Sequence, residues 1–452
     1  MKFNRRTFLT GAAATTSLWT ATHTRALSQA QPRLLEARTG ALQLNEGTDT
    51  AILGFDGTAP GPLLKIRQGE ALNLNLINKL DQPTSIHWRG MRAPNAFDGV
   101  APLTQKPVGP GESFDIAFTP PDAGTFFYHA HCEPHMAQQV ERGLYGVLIV
   151  EELEPPAVDH DVLAVIDDWS LTDGQIALCA GRTGTLLTVN AKLGPLTQIA
   201  APGARIRLRL VNAASARIMA ISFEGARPFV VAIDGQPCRA FEPVRASIPV
   251  GPGARFDVMF DMPNVPDAKV RVILRGGQLG DSSGEPDSEL SVFTSRGDLQ
   301  PARPPIEGPA LNPLLPEEIR LQTARRLDLA LESVDGDPGL ACANGKTLWR
   351  LAPPKPVKAG APLLSVKRGT AVSLGFVNRS QIHQVMRLHG HVMRQLHLLD
   401  DGWEPYWRDS VIVPPGRTVR VAFVADNPGR WRIGSGIMAH AAGGMSGFFE
   451  VT

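Results

Sequence analysis

Cysteine is scarce in this chain and dispersed. Its four residues, Cys132, Cys179, Cys238 and Cys342, form no CxxC pair, which removes a zinc knuckle or a dithiol redox motif from consideration. One disulfide remains open in an oxidising compartment; which two would pair is not specified, and a small buried hydrophobe is the expected role for most of them. Charge of one sign is equally missing. Forty-five basic residues face 44 acidic ones, a net +1, so no field exists to hold nucleic acid or an anionic membrane. There is no long stretch of helical periodicity, no methionine-rich insert among the ten scattered methionines, and no apolar run long enough to remain in a bilayer.

What is present begins at the front. Arg5 and Arg6 open the run RRTFLTG, a weakly apolar Ala/Thr stretch with Leu18 and Trp19 follows, and Ser28 and Ala30 bracket Gln29. This pattern reads as a twin-arginine export signal over residues 1–30 with cleavage after Ala30, and hence as a periplasmic mature protein with no integral membrane segment.

At 452 residues the chain is too long for a single core, and internal repetition divides it. Gly69–Asn78 (GEALNLNLIN), Gly203–Asn212 (GARIRLRLVN) and Gly369–Asn378 (GTAVSLGFVN) each alternate apolar and other residues between a Gly and an Asn. Period two predicts a half-buried strand. PGESFDIAF from Pro110, PGARFDVMF from Pro252 and PGRTVRVAF from Pro415 are three Pro-Gly turns that each launch another strand. With 44 Gly and 38 Pro, an all-β fold of three Greek-key sandwiches or barrels is expected. The spans are 31–152, 157–298 and 321–452, with a Pro-rich linker over 299–320. The middle unit has no His-rich segment and is expected to serve as a spacer.

The repeat aligns the chemistry-bearing residues without any outside sequence. Nine and eleven residues after Asn78 stand His87 and Arg89; at the same offsets from Asn378 stand Arg387 and His389. Each unit therefore has one His and one Arg in swapped order, and residues two apart in a strand face one surface. Nineteen and twenty-one residues after Pro110 stand His129 and His131; the counterparts after Pro415 are Gly434 and Gly436.

On these residues the chain resembles the multicopper oxidases, a family with HxHG and YHxH in its first domain and HPxHxHG and HCHxxxHxxxxM in its last. TSIHWRGMRAPNAFDGV, GTFFYHAHCEPH, RGLYGVLIVEE and WEPYWRDSVIVPPGRTVRVAFVADNPGRW look like bacterial laccase-type sequence, and the likeness runs from about residue 35 to the end. It implies three cupredoxin-like domains. It also implies ligand positions for a mononuclear blue copper and a three-copper cluster, and here many of them carry other residues. At the blue site Gln384 and Ser435 stand in imidazole and thiolate positions, leaving His440 and Met445. In the cluster His87, His129, His131 and His389 remain, while Arg89, Arg387, Gly434 and Gly436 occupy the other positions. A serine hydroxyl is too hard to replace thiolate, and a guanidinium has no lone pair to offer. The family's His-Cys-His electron route is Gly434-Ser435-Gly436.

A one-residue slip placing His383 at the Gln384 position would need a bulge; His135, His391 and His397 are expected to be surface or hydrogen-bonded histidines. Asp98 corresponds to the family's outer-sphere acid. The expectation is that Arg89 and Arg387 fill the cluster volume, donate to the histidines and pair with Asp98, with an anion pocket as the alternative. The remaining histidines are either leftover scaffold or a site for one Cu or Zn ion. The leading expectation is a monomeric, non-enzymatic envelope protein that acts as a scaffold for an unknown envelope partner and carries no cofactor, with copper at most at partial occupancy. A metal-binding or copper-handling protein is the second reading and a laccase-type oxidase the third.

Overall fold

The computed structural model describes residues 31–452 apart from 46, 179–182, 277–278, 280–283, 337–345 and 398–401; the export signal, Cys179 and Cys342 therefore lie outside the described residues. Within 33–151, strands Thr48–Phe55, Arg33–Asn45, Leu72–Asn78 and Ser113–Phe118 form one sheet, and Leu64–Arg67, Tyr145–Glu151, Gly124–His129 and His87–Arg89 form its companion. Two sheets, of seven and five strands, occupy 160–295, and two of five strands each occupy 325–451. The fold is all-β and cupredoxin-like, with three sheet-on-sheet cores.

The two repeated sequence elements are neighbours in every unit. Leu72–Asn78 pairs antiparallel with Ser113–Phe118, Arg205–Asn212 with Arg255–Asp261, and Thr370–Asn378 with Thr418–Ala425. The Asn that ends each first strand explains its own recurrence. Asn78 donates its amide to Gln82 O and Val108 O and accepts from Leu80 N. Asn212 makes the same three bonds to Arg217 O, Val250 O and Ala214 N, and Asn378 to Ile382 O, Val413 O and Ser380 N. Each latch ties the strand end to the loop that follows, at roughly 1 kcal/mol net per bond. In the outer two units that loop leads directly into the strand bearing the His and Arg pair.

The middle strand departs from the half-buried expectation, for all eight residues of Arg205–Asn212 are buried. Its polar face packs on the first unit. Arg207 pairs with Glu152 and Asp257, and Arg209 with Asp161 and Asp257, whose other oxygen accepts from Thr125 Oγ. Buried guanidiniums are tolerated there because their donors are matched. The segment after 299 is also fastened rather than free: Pro304 O accepts from Arg205, and Asn312 bridges Asp122 and Gln236. Helices Met136–Glu141 and Met438–Ala442 pack together in an apolar cluster that also includes Trp169 and Val211, joining residues of all three spans. Cys132 and Cys238 are free and buried, and burial pushes their thiols up to about 11 and 12.

Tyr145 of the first unit donates its hydroxyl to Asp167 of the middle one, and burial together with Asp168 pushes the Asp167 carboxyl up to about 8. The folded protein thus keeps a proton that the unfolded chain releases near 3.8. The stability linked to it is complete below about pH 4 and is lost as pH rises through 8. Asp167→Asn is expected to flatten the fall in Tm between pH 5 and pH 8, measured by thermal unfolding across that range; an unchanged slope would contradict the assignment.

Candidate metal centre

His87 and Arg89 lie on the short strand His87–Arg89, whose partner residues are His129 and Phe127. Arg387 lies on strand Gln384–Leu388, opposite Gly434, and His389 follows the strand. Alternation sends His87 and Arg89 inward from the first unit and Arg387 and His389 inward from the last. All four, with His129, His131 and Asp98, are buried in one place.

Asp98 follows the 3-10 turn Asn95–Phe97 and faces two imidazoles at once. His87 Nδ1 lies 2.7 Å from Asp98 O and 3.3 Å from Oδ1, and His389 Nδ1 lies 3.4 Å from Oδ2. Both Nδ1–H groups donate to Asp98, so both Nε2 lone pairs point the other way, as in carboxylate-oriented metal-binding histidines. The rings are stacked with centroids 4.1 Å apart. Between the two lone pairs lies the Arg387 guanidinium, with Nη1 3.3 Å from His389 Nε2 and Nη2 3.3 Å from His87 Nε2. His131 closes the group edge-on, its centroid 5.2 Å from His87 and 5.3 Å from His389, and neither of its ring nitrogens has a hydrogen-bond partner. One ligand atom from each of His87, His131 and His389 lies within 4.8 Å of the others.

The fourth imidazole is equally near, its centroid 5.3 Å from His87 and 5.5 Å from His131, but its nitrogens are spent elsewhere. His129 donates Nδ1–H to Ala130 O at 2.7 Å and accepts from Arg89 Nε at 3.0 Å, which consumes its lone pair. Arg89 is a built-in part of the middle unit's Pro-Gly turn. Its Nη1 donates to Pro252 O at 2.7 Å, and its guanidinium occupies the space of Gly253, where an added Cβ would lie 1.7 Å from Nη1. Gly253 has φ +74, so the turn itself favours glycine. A side chain at Gly436 would press on Val385 Cγ1 at 2.9 Å, so that space is filled too.

Burial holds the His129, His131 and His389 imidazoles well below their ordinary value and lowers His87, despite Asp98; all four are neutral at pH 7. Neutrality is what ligation requires. Burial lowers Arg89 strongly, with Arg387 adding to it, and also lowers Arg387. Asp98 serves the histidines, so the expected pairing of Asp98 with the arginines is not found. Arg387 instead faces Asp409 Oδ2 at 3.6 Å. Burial raises the Asp409 carboxyl, and Arg255 and Arg387 overcome this and hold it below the usual range. Asp409 also accepts from Arg255 Nη1 at 3.2 Å, and Asp234 accepts from Asp409 N, Ser410 N and Ser410 Oγ. Sequence reasoning missed this Asp234–Arg255–Asp409 layer and took the middle unit for a spacer. The signal available was Arg255 opening the repeated strand where the other units have Ser113 and Thr418.

The second group is a hydrogen-bonded core rather than a cluster of open lone pairs. His440 Nδ1 donates to Gln384 Oε1 at 2.7 Å, Gln384 Nε2 donates to Ser380 Oγ, and the His440 ring lies against Trp349 with centroids 4.4 Å apart. Met445 is buried beside them, and Ser435 Oγ accepts from Ile437 N. Gln384 faces this core and half-buried His383 lines the cleft between middle and last units, so the strand has not slipped. His391 is hydrogen-bonded to His389 O and Asn427 N.

Three models of the multicopper oxidase family match residues 36–155, 171–272 and 340–452. A crystal structure of a multi-copper oxidase from Pseudomonas thermotolerans superposes with a TM-score of 0.80 at 30% identity, covering 93% of this chain and 99% of that one. Multicopper oxidase MmcO of Mycobacterium tuberculosis is 27% identical over 447 residues, 88% of this chain and 83% of that protein. Copper resistance protein A of Pseudomonas syringae pv. tomato is 32% identical over 183 residues, 38% of this chain and 29% of that protein. These likenesses overturn the expectation that no cofactor belongs here: the proteins this chain matches are named as multicopper oxidases or as a copper resistance protein.

The residues present fit copper at one place. His87, His131 and His389 offer three neutral imidazoles with a carboxylate behind two of them, a donor set suited to one Cu or Zn ion. The His440 group offers no thiolate and does not fit a blue copper. Gly253→Ala is expected to destabilise the wild type by about 2–3 kcal/mol through the clash with Arg89, and by only about 1 kcal/mol, the backbone strain, in an Arg89→Ala background. A double-mutant cycle in urea checks this; equal losses in both backgrounds would contradict the cradle.

Proposed function

Since this chain belongs to the multicopper oxidase family, with its all-β cupredoxin-like fold, we propose that it binds a single copper ion on His87, His131 and His389 and does not carry out four-electron oxygen reduction. The observation that carries this reading is His131. A buried imidazole with both nitrogens unpartnered is costly, and a metal ion on its lone-pair nitrogen would relieve part of that cost; its two convergent neighbours already have their Nδ1–H groups spent on Asp98. A bound ion would supply Lewis acidity. The chain's own residues supply orientation through Asp98 and burial from solvent.

Other positions speak against the oxidase reaction. Reducing oxygen to water takes four electrons, gathered in the family by a blue copper and a three-copper cluster. In this chain Ser435, Gln384, Gly434 and Gly436 stand where the resemblance puts ligands, and Arg89 and Arg387 bring two positive charges into the cluster volume. The function is thus copper holding or handling in the cell envelope. Residues 1–30 support the address through the twin-arginine run, and among the described residues no helix is long and apolar enough to cross a membrane.

Purified from copper-supplemented cells, the protein is expected to retain about one equivalent of pale copper, to lose it in His131→Ala, and to leave a phenolic dye unoxidised, as read by elemental analysis, visible spectrum and turnover. Three or four equivalents with an intense blue band and dye turnover would refute the reading. Arg5→Lys with Arg6→Lys is expected to leave the precursor in the cytoplasm, measured by fractionation; normal export of that variant would contradict the address.

A further inference from the structure

We infer that Arg387 is a built-in competitor for the metal position: its guanidinium and a metal ion are alternative occupants of the same two lone pairs, and the guanidinium withdraws to Asp409 when the ion enters. The inference rests on the three-histidine reading of the site.

The geometry leaves no room for both at once. His87 Nε2 and His389 Nε2 each have one lone pair, and Asp98 on the Nδ1 side fixes both rings so that these lone pairs face the same spot. Arg387 spans that spot, placing Nη1 and Nη2 each 3.3 Å from one of them. An ion that took both imidazoles would have to remove both contacts and would face a full positive charge at contact distance.

Arg387 is held there loosely. Both contacts are long for N–H···N bonds between a cation and an imidazole. Its Nε has no partner although it is buried, so the present position leaves one donor unsatisfied. A receiver already stands on its other side: Asp409 Oδ2 is 3.6 Å from Nη2 and is buried with it. His131 differs from the other two imidazoles in having no hydrogen bond to the guanidinium, and it is the natural point of first attachment for an incoming ion.

The consequence is an affinity set below what three imidazoles would reach alone, the property of a site that takes metal at high supply and gives it up. Isothermal titration of Cu(II) against a competing chelator, on the full mature chain, tests this in wild type, Arg387→Gln and Arg387→Met. Both variants remove the charge, and the methionine fills similar volume without donors, so the test survives misfolding of either one. Copper is expected to bind about tenfold tighter in the variants, with His131→Ala abolishing binding in wild type and variants alike. A gain smaller than threefold, or weaker binding, with wild-type copper still dependent on His131 would overturn the competitor and leave the site standing. Absence of copper from wild type and both variants would overturn the two together.

Discussion

Two imidazole lone pairs, those of His87 and His389, meet a guanidinium, and the rest of the site is arranged around that contact. Asp98 points the rings, and Arg387 neutralises the electron-rich side. At an effective dielectric of about 20, unit charges about 4 Å apart repel by about 4 kcal/mol, and a divalent ion doubles that. An arginine at that distance therefore opposes an ion on the same imidazoles by several kcal/mol, and Arg89 adds a second positive charge beside it. The carboxylates needed to keep such charges buried come from Asp409 and Asp234, one from the last unit and one from the middle.

Charge compensation also explains why three sandwiches that each have their own core behave as one body over residues 32–452. Arg255 reaches from the middle unit to Asp409 of the last and to Thr125 O of the first. Arg207 and Arg209 bring ion-paired guanidiniums into the interface with the first unit. Apolar packing of helices Met136–Glu141 and Met438–Ala442 completes the junction. Removing one partner of such a buried pair costs more than the pair contributes, because the other is left charged and dry. The site and the inter-unit interface are thus one construction.

The strands were legible because period-two alternation between Gly and Asn is a local signal, and each Asn turned out to latch the loop after its strand. The swapped His and Arg order was legible for the same reason, since residues two apart share a face. Partner choice was not. Asp98 was expected beside the arginines and serves His87 and His389, a matter of a few ångströms that sequence distance does not encode. Likewise the alternation of Arg205, Arg207 and Arg209 with apolar residues reads as a solvated face, and only the position of Asp257 and Glu152 across the interface makes it a buried one. The engagement of the His129 lone pair by Arg89 depends on Gly253, 164 residues after Arg89 in the chain.

The most direct measurement of the central claim is anomalous diffraction at the copper edge from crystals soaked in Cu(II). One peak among His87, His131 and His389, with the Arg387 guanidinium shifted onto Asp409, is the predicted result; a peak at His440 and Met445, or several peaks across the junction with Arg387 unmoved, would contradict it.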